Sequence, residues 1–494
     1  MGVIQRQAIK GSIFSYIGVL LGFVNAIILA PRILTSEQIG LTSILIAYSL
    51  PFIQFSALGF ISVINRLFPY FRDEKSKHNG FLAVTLFVTM GGFLLAILVY
   101  FLLRPVFIKD NIEQSPLFVD YLDYLIPLIF FSLLFMILDA YNRVLYDAVL
   151  GTFLKDFFSK IVYLTVLLLY LFGIITFSQF VFSFILVQCL PGIIITIILI
   201  YRGHFSLRLP RGFISRRMVR IMVNLCLFGI LAGLSGIAIS TVDRLMINSM
   251  IDLSATGIYT VAFYFSVILL IPIKSVRNIS TPFIAELMKK KDFRSMKSIY
   301  YKSSLNQLII GLLLFVGIWA NIHNVFSILP EEYEAGKYVI FFMMLAKLFE
   351  LATGVANLII GTSRYYRVST YLVFFLLVIV IISNLLFIPV YGIIGASIAS
   401  AICAFLFNLA RYLFVCWKFD MQIFNHKFLI LLFISLASYF GSLLMPVFAN
   451  FIIDILIRSI AITLVFGVFI LVFNVSQEVT NEVRSVLRRI KINI

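Results

Sequence analysis

Long, unbroken apolar segments dominate this chain and limit what it can fold into. A helix needs about 20 apolar residues to cross a hydrocarbon layer of roughly 30 Å, and about fourteen such stretches follow one another here with short polar breaks. The alternating segments of about ten residues that are typical of membrane β-barrels do not occur. The sequence therefore predicts an all-α polytopic membrane protein with about fourteen transmembrane helices, at residues 11–31, 40–64, 79–103, 117–140, 150–172, 174–201, 221–247, 257–282, 303–327, 338–361, 367–388, 392–417, 428–447 and 451–474.

The composition excludes a soluble protein. Hydrophobic residues make up 62% of the 494 residues and charged residues only 12%, whereas soluble domains carry roughly 25% charged residues. The net charge of +17 does not indicate a nucleic-acid partner, because the basic residues lie in short loops between apolar segments. Membrane lipids are the partners that this pattern predicts.

The distribution of Lys and Arg predicts the orientation of the helices. With the N-terminus inside, 32 of the 39 basic residues fall on the inner side, which is the bias expected of cytoplasmic loops. Acidic residues show no such bias. Both termini are therefore predicted to be cytoplasmic, and the seven remaining basic residues are Arg32, Arg104, Lys109, Arg244, Lys337, Lys347 and Arg458.

The longest polar break, 202–220, divides the first twelve helices into six and six. Because each half has an even number of helices, the two halves keep the same orientation and fit a pseudo-two-fold axis along the membrane normal. We expect an N-terminal lobe at 1–201, a basic cytoplasmic linker at 202–220 and a C-terminal lobe at 221–418. Two additional helices and a cytoplasmic tail follow at 419–494.

Motifs that carry enzyme chemistry do not occur in the chain. There is no GxxxxGK[ST] phosphate-binding loop, no HExxH and no CxxC. The predicted outer loops are short and carry no paired acidic motif of the kind that a membrane glycosyltransferase needs. We predict a transporter that is not an enzyme and that needs no cofactor or metal.

Charged residues inside the apolar segments are the best indication of a functional site, because each is costly in lipid without a partner or a hydrated cavity. Lys347 and Glu350 lie near the middle of the tenth segment and on one helical face. They form either a mutually neutralising pair or a site for substrate or a coupling ion. Asp243 and Arg244, near the outer end of the seventh segment, are more simply read as an interfacial pair.

Other polar residues fit ordinary roles. Arg32 after Pro31 either binds an anionic pyrophosphate or anchors its helix at the interface. Asp139, Asn142 and Arg143, with Lys155 and Asp156, either line the inner mouth of a cavity or are ordinary inner-loop residues, and the second interpretation is favoured.

Several stretches together resemble a known family. APRILTSEQIGLTSILIAY and SALGFISVINRLFPYF are similar to the first two helices of the Wzx-type polysaccharide transporters, which belong to the multidrug/oligosaccharidyl-lipid/polysaccharide exporter superfamily. STVDRLMINSMIDLSATGIYTVAFYF resembles their helices 7 and 8, and LFIPVYGIIGASIASAICAF resembles the turn between helices 11 and 12. The resemblance covers roughly the first twelve helices.

This resemblance implies two six-helix lobes around a cavity that opens alternately to each side of the bacterial inner membrane. The implied cargo is an undecaprenyl-pyrophosphate-linked oligosaccharide, such as an O-antigen repeat unit, and polysaccharide polymerase and assembly proteins are the possible partners. Four arginines at repeat-related helix ends are the hypothetical cavity cations: Arg32, Arg66, Arg244 and Arg277. A lipid II flippase is the main alternative, ahead of a drug/cation antiporter and a membrane glycosyltransferase.

Overall fold

The computed structural model describes residues 3–73, 75–207 and 215–481, and all regular structure in these ranges is helical. The all-α membrane fold predicted from the sequence is confirmed. The chain separates into two compact units, Met1–Val261 and Ala262–Ile494. The division into lobes and linker drawn from the sequence stays a prediction, and residues 208–214 and 482–494 lie outside the described ranges.

The first unit contains eleven helices and most of a twelfth. In chain order they are α1 (Val3–Phe23), α2 (Ala30–Ile33), α3 (Ser36–Ser56), α4 (Phe60–Phe71), α5 (Phe81–Asn111), α6 (Pro116–Asp120), α7 (Leu125–Val144), α8 (Val149–Thr152), α9 (Ser159–Leu171), α10 (Phe177–Tyr201), α11 (Arg216–Met250) and α12 (Leu253–Ile268). The core of this unit is formed where α7 packs on α10 and α3, and where α3 packs on α5 and α11.

The second unit continues with α13 (Ile271–Lys290), α14 (Phe293–Ala320), α15 (Ile322–Ile328), α16 (Lys337–Ala352), α17 (Ala356–Thr362), α18 (Tyr366–Phe419), α19 (His426–Leu443) and α20 (Phe451–Val472). Here α16 packs on α14 and α18, while α19 and α20 pack on each other and on α14.

All fourteen predicted segments coincide with helix. Among the described residues, nine helices are long and apolar enough to cross a membrane alone, and the bent pair α16–α17 makes a tenth. The difference from fourteen has a structural origin. Three predicted segments, 150–172, 221–247 and 257–282, correspond to α8–α9, to α11 and to α12–α13, and α18 contains two segments.

Helix α18 folds back on itself at Gly392, whose φ of 58° and ψ of −138° are accessible to glycine alone at low cost. Cys403 Sγ lies 3.8 Å from Ser383 Oγ, although twenty residues of straight helix would separate them by about 30 Å. Segments 367–388 and 392–417 are therefore two arms of a tight hairpin, as the sequence predicts.

Two short π-helices interrupt the apolar segments of the first unit, at Val24–Leu29 and Phe153–Phe158. The first lies between α1 and α2, and the second lies between α8 and α9. Such wide turns are rare and occur frequently at functional sites. Asn25 of the first π-helix donates a hydrogen bond at 2.8 Å to the carbonyl oxygen of Lys160, which lies in α9 two residues after the second π-helix.

Candidate functional site

The second predicted span, 40–64, is not one continuous helix. It breaks at Ala57–Gly59, between α3 and α4. Gly59 has a φ of +69° and Leu58 a φ of +46°. Irregular backbone at membrane depth is tolerated where protein buries it or where it lines a hydrated cavity. The sequence prediction of one uninterrupted helix was wrong here, because Gly59 supplies a left-handed residue that hydropathy does not register.

Glycines on two helices allow this break to pack closely against α11. A Cβ atom at Gly59 would lie 2.3 Å from the carbonyl oxygen of Cys226, and one at Gly229 would lie 2.9 Å from the Cα of Gly59. One turn further along α11, a Cβ at Gly233 would clash with the Gln54 side chain. Small residues of this kind permit backbone contact between membrane helices. The break is thus a specific contact between α11 and the end of α3.

Helix α4, which follows the break, is strongly amphipathic. Its apolar residues recur with helical spacing and are buried: Phe60, Val63, Ile64, Leu67, Phe68 and Phe71. The opposite face exposes Asn65, Arg66 and Tyr70, the last with 70% of its surface accessible. Asn65 and Arg66 directly follow the predicted span 40–64, and an arginine and an asparagine so close to a span need a water-filled cavity or the membrane interface. This polar face of α4 is the first part of the candidate site.

The second part is a polar network at the other end of α11. Arg244 is half-buried, and its Nη1 donates to the Oγ of Ser43 at 3.3 Å. Ser43 is in turn 2.8 Å from the hydroxyl of Thr260. The buried carboxylate of Asp243 accepts a hydrogen bond from the Tyr259 hydroxyl at 2.7 Å. Asp243 therefore bonds to α12 and Arg244 bonds to α3. A simple interfacial pair, as the sequence suggests, would not need these contacts to other helices.

A neighbouring network fixes the same end of α11 to α5. Asn248 donates to Asn111 Oδ1 at 2.5 Å and accepts a hydrogen bond from Ser115 at 2.9 Å. All three side chains are buried. Buried amides and hydroxyls that satisfy one another in this way specify a single packing arrangement. We assign this network to holding the helices in register.

Arg66 and Arg244 lie far apart. Arg66 precedes Phe68, which packs on Phe81 at the start of α5, whereas Arg244 is one turn from Asn248, which bonds to the last residue of α5. The 31 residues of α5 extend about 45 Å. Arg66 and Arg244 are therefore separated by roughly 30 Å or more, and one pyrophosphate group cannot contact both at once.

The remaining predicted site residues are placed as follows. Arg32 is exposed in the last turn of α2. Arg277 belongs to α13, but its side chain lies outside the described part of the structure. Lys347 and Glu350 are half-buried on α16, and Lys347 Nζ lies 5.6 Å from the centre of the Phe263 ring.

Lys347 and Glu350 precede a sharp bend in the tenth predicted span. Helices α16 and α17 are inclined by 54° to each other at Thr353–Val355. Gly354 has a φ of +50°, and a Cβ there would lie 2.5 Å from the hydroxyl of Ser304 on α14. Gly-interrupted membrane helices often mark binding sites in transporters, and the glycine at 354 is the signal that the sequence offered for this bend.

Sequence comparisons identify no relative: no protein-family model and no curated protein matches the chain. Solved structures do match. A structure of the lipid II flippase MurJ in an inward closed conformation superposes with a TM-score of 0.75 at 16% identity, covering 94% of this chain and 98% of the flippase.

Two other transporters match over less of the chain. An inward-facing transporter of the multidrug resistance MATE family and the MOP superfamily gives a TM-score of 0.64 at 12% identity, covering 82% of this chain and 94% of its own. A MOP-superfamily transporter from Pyrococcus furiosus gives 0.51 at 14% identity, covering 85% and 95%. The chain therefore has the fold of these transporters.

Proposed function

We propose that this chain is a flippase that moves an undecaprenyl-pyrophosphate-linked oligosaccharide, the repeat unit of O-antigen or another surface polysaccharide. Transport runs from the cytoplasmic to the periplasmic leaflet of a bacterial inner membrane by alternating access. The observation that carries the proposal is the extent of the shared fold, which reaches 94% of this chain for the lipid II flippase.

The part of the chain that the Pyrococcus transporter leaves unmatched supports a lipid-linked cargo. The Pyrococcus transporter covers 85% of this chain and 95% of itself, so about 15% of the 494 residues have no counterpart. The stretch 419–494, with α19 and α20, has the same size. A drug antiporter with twelve helices has no such pair, whereas the match to the flippase extends over nearly the whole chain.

The charge distribution in the first unit suits an anionic headgroup that changes sides. Arg66 stands on the exposed face of α4, at the end predicted to be cytoplasmic, and Arg244 stands near the opposite end. A pyrophosphate needs compensating charge wherever it leaves water. Successive arginines supply this charge along the path, together with Arg32 and, in the second half, Arg277 and the Lys347–Glu350 pair.

Lipid II is the second candidate cargo, because a lipid II flippase is among the solved structures that share this fold. Both cargos consist of sugars joined to a long isoprenoid through pyrophosphate, so the same cations would serve either. If the cargo is the oligosaccharide lipid, the proposed partners are the proteins that use it after transport, such as a polysaccharide polymerase. These partners do not apply to lipid II.

Reconstitution tests the proposal directly. The purified full-length chain is placed in liposomes with fluorescent undecaprenyl-pyrophosphate oligosaccharide or with fluorescent lipid II, and a membrane-impermeant reductant quenches the outer leaflet. Faster flipping of the oligosaccharide lipid than of lipid II supports the first cargo. The reverse order supports the second, and protein-free rates for both lipids would contradict a flippase.

A further inference from the structure

A polar cavity of about 170 Å³ lies inside the first unit, away from α4 and α11. It is bounded by α7, the second π-helix, α9 and α10. Ser132 and Gln188 line it near the midpoints of their helices. The space is enough for several waters, since a cavity of roughly 10–15 Å³ already holds one. Its polar lining residues are Ser132, Lys155, Asp156, Ser159, Lys160 and Gln188.

The π-helix brings two lysines to this cavity. In an α-helix residues four apart share a face, whereas the i→i+5 bonding of a π-helix aligns residues five apart. Lys155 and Lys160 are five apart, and the π-turn Phe153–Phe158 ends between them. The Ser159 hydroxyl donates to the Leu154 carbonyl, five residues earlier, at 2.9 Å. The irregular turn thus directs both ammonium groups into one space.

The two lysines have little compensating charge. Lys155 Nζ lies 5.4 Å from the centre of the Phe135 ring. The side chain of Lys160 packs against α1, where its Cε would lie 3.8 Å from a Cβ atom at Gly22. Within the described part of the chain, neither forms an ion pair with a carboxylate. The carboxylates that act on Lys155 are Asp156, which accepts from Ser15 at 3.1 Å, and Asp139, which pairs with Arg143 at 2.7 Å.

Two lysines and one carboxylate, that of Asp156, line the cavity, so its basic groups outnumber its acidic ones. An uncompensated ammonium in a low-dielectric interior is unfavourable unless water or a counter-ion accompanies it. The two ammonium groups only donate hydrogen bonds, and the serine hydroxyls and the Gln188 amide can add further donors, so the lining suits an anion. The sequence favours Lys155 as an ordinary inner-loop residue, whereas the cavity gives it a common ligand with Lys160.

We propose that this cavity binds one small inorganic anion, of chloride to phosphate size, between Lys155 and Lys160. The site is separate from the arginines assigned to the cargo and does not depend on the identity of that cargo. Asp156 limits the affinity, because its negative charge beside Lys155 disfavours a second anion in the same cavity.

Equilibrium binding to the full-length protein in detergent tests the proposal, with radiolabelled chloride and orthophosphate as probes and gluconate as the background salt. We expect about one anion per chain, and at least tenfold weaker binding for the double variant Lys155→Gln/Lys160→Gln, since hydrogen bonds to charged groups are lost. Lys289→Gln/Lys291→Gln removes the same charge from exposed positions of α13 and its C-terminal end and should bind as the original does.

Misfolding of the glutamine double variant would also weaken binding, so two further variants are needed that should keep or increase the affinity. Asp156→Asn should bind the anion several-fold more tightly, and Lys155→Arg/Lys160→Arg should retain binding, because the positive charge stays. The proposal is overturned if the original protein binds neither anion, or if the glutamine double variant binds as tightly as the original. Unchanged or weaker binding by Asp156→Asn would also contradict it.

Discussion

Gly59 packs directly against the main-chain carbonyl oxygen of Cys226, so closely that a Cβ atom at this glycine would lie 2.3 Å from it. The same residue has a φ of +69°, which an L-residue adopts only with strain. Glycine is thus required at position 59 for two reasons. It allows the left-handed turn that breaks the second span, and it allows that break to contact α11.

Gly59→Ala should therefore destabilise the protein by about 2–4 kcal/mol, from the left-handed conformation and the overpacked contact together. The midpoint of thermal aggregation, followed by size-exclusion chromatography of heated samples, measures the loss. Gly91→Ala is the matched control, because nothing lies within 4 Å of a Cβ there and the residue is inside α5. Equal midpoints for both variants would contradict the packing described for the break.

Arg66→Ala should lower export of surface glycan about tenfold with little change in stability, because an exposed arginine contributes a charge-assisted contact to cargo rather than to packing. Arg66→Lys should keep much of the activity. Export is measured by complementation of a flippase-deficient strain, with protein levels compared by immunoblot.

Arg104→Ala supplies the comparison for this experiment. Arg104 also carries an exposed guanidinium, but it pairs with Asp123 at 3.0 Å in a predicted outer segment. Such exposed pairs contribute roughly 0–1 kcal/mol, and no cargo role is proposed for it. A similar loss of export in both variants would remove Arg66 from the proposed path.

The positions of the helices could be read from the sequence, because burial in lipid is a property of each segment by itself. Each of the fourteen predicted segments is mostly helical, and Pro389 and Gly392 in the sequence also mark the fold-back of α18. The breaks inside these segments could not be predicted in the same way, because they depend on contacts with other helices. The break at Gly59 depends on Gly229 and Gly233 of α11, which are remote in sequence.

The candidate sites, too, could be predicted from the sequence only in part. The helical spacing of the apolar residues in Phe60–Phe71 is a sequence signal for the polar face of α4. Lys155 and Lys160 were not recognisable as a pair, because α-helical spacing places them on different faces and only the π-turn aligns them. Side chains that act together through an irregular turn need the structure to be recognised.

Asp454 and Arg458 provide a test of how α20 is attached to the second unit. Both side chains are nearly inaccessible, at 1% and 4%, and they pair at 3.2 Å. Asp454 also accepts from the backbone of Phe448 and from His323 and Asn324. Asp454→Ala should cost about 3–5 kcal/mol, because it leaves a buried guanidinium without its counter-charge.

The double variant Asp454→Leu/Arg458→Met should recover most of that loss, since replacing a whole buried pair by apolar residues is often neutral. Asp123→Ala is the control, because it breaks an exposed pair and should cost no more than about 1 kcal/mol. Thermal unfolding in detergent measures all three. A double variant as unstable as Asp454→Ala would show that the pair itself is not the source of the loss.

The hairpin of α18 makes a prediction that does not depend on function. Cys403 Sγ and Ser383 Oγ are 3.8 Å apart, so Ser383→Cys should form a disulfide with Cys403 under mild oxidation after a small side-chain rotation. Peptide mapping by mass spectrometry under non-reducing conditions detects it. Ser369→Cys, about 21 Å further along the same arm, should remain a free thiol. If Ser383→Cys does not react while the protein stays folded, the two arms do not pack as the structure has them, and a single long helix would be the better description.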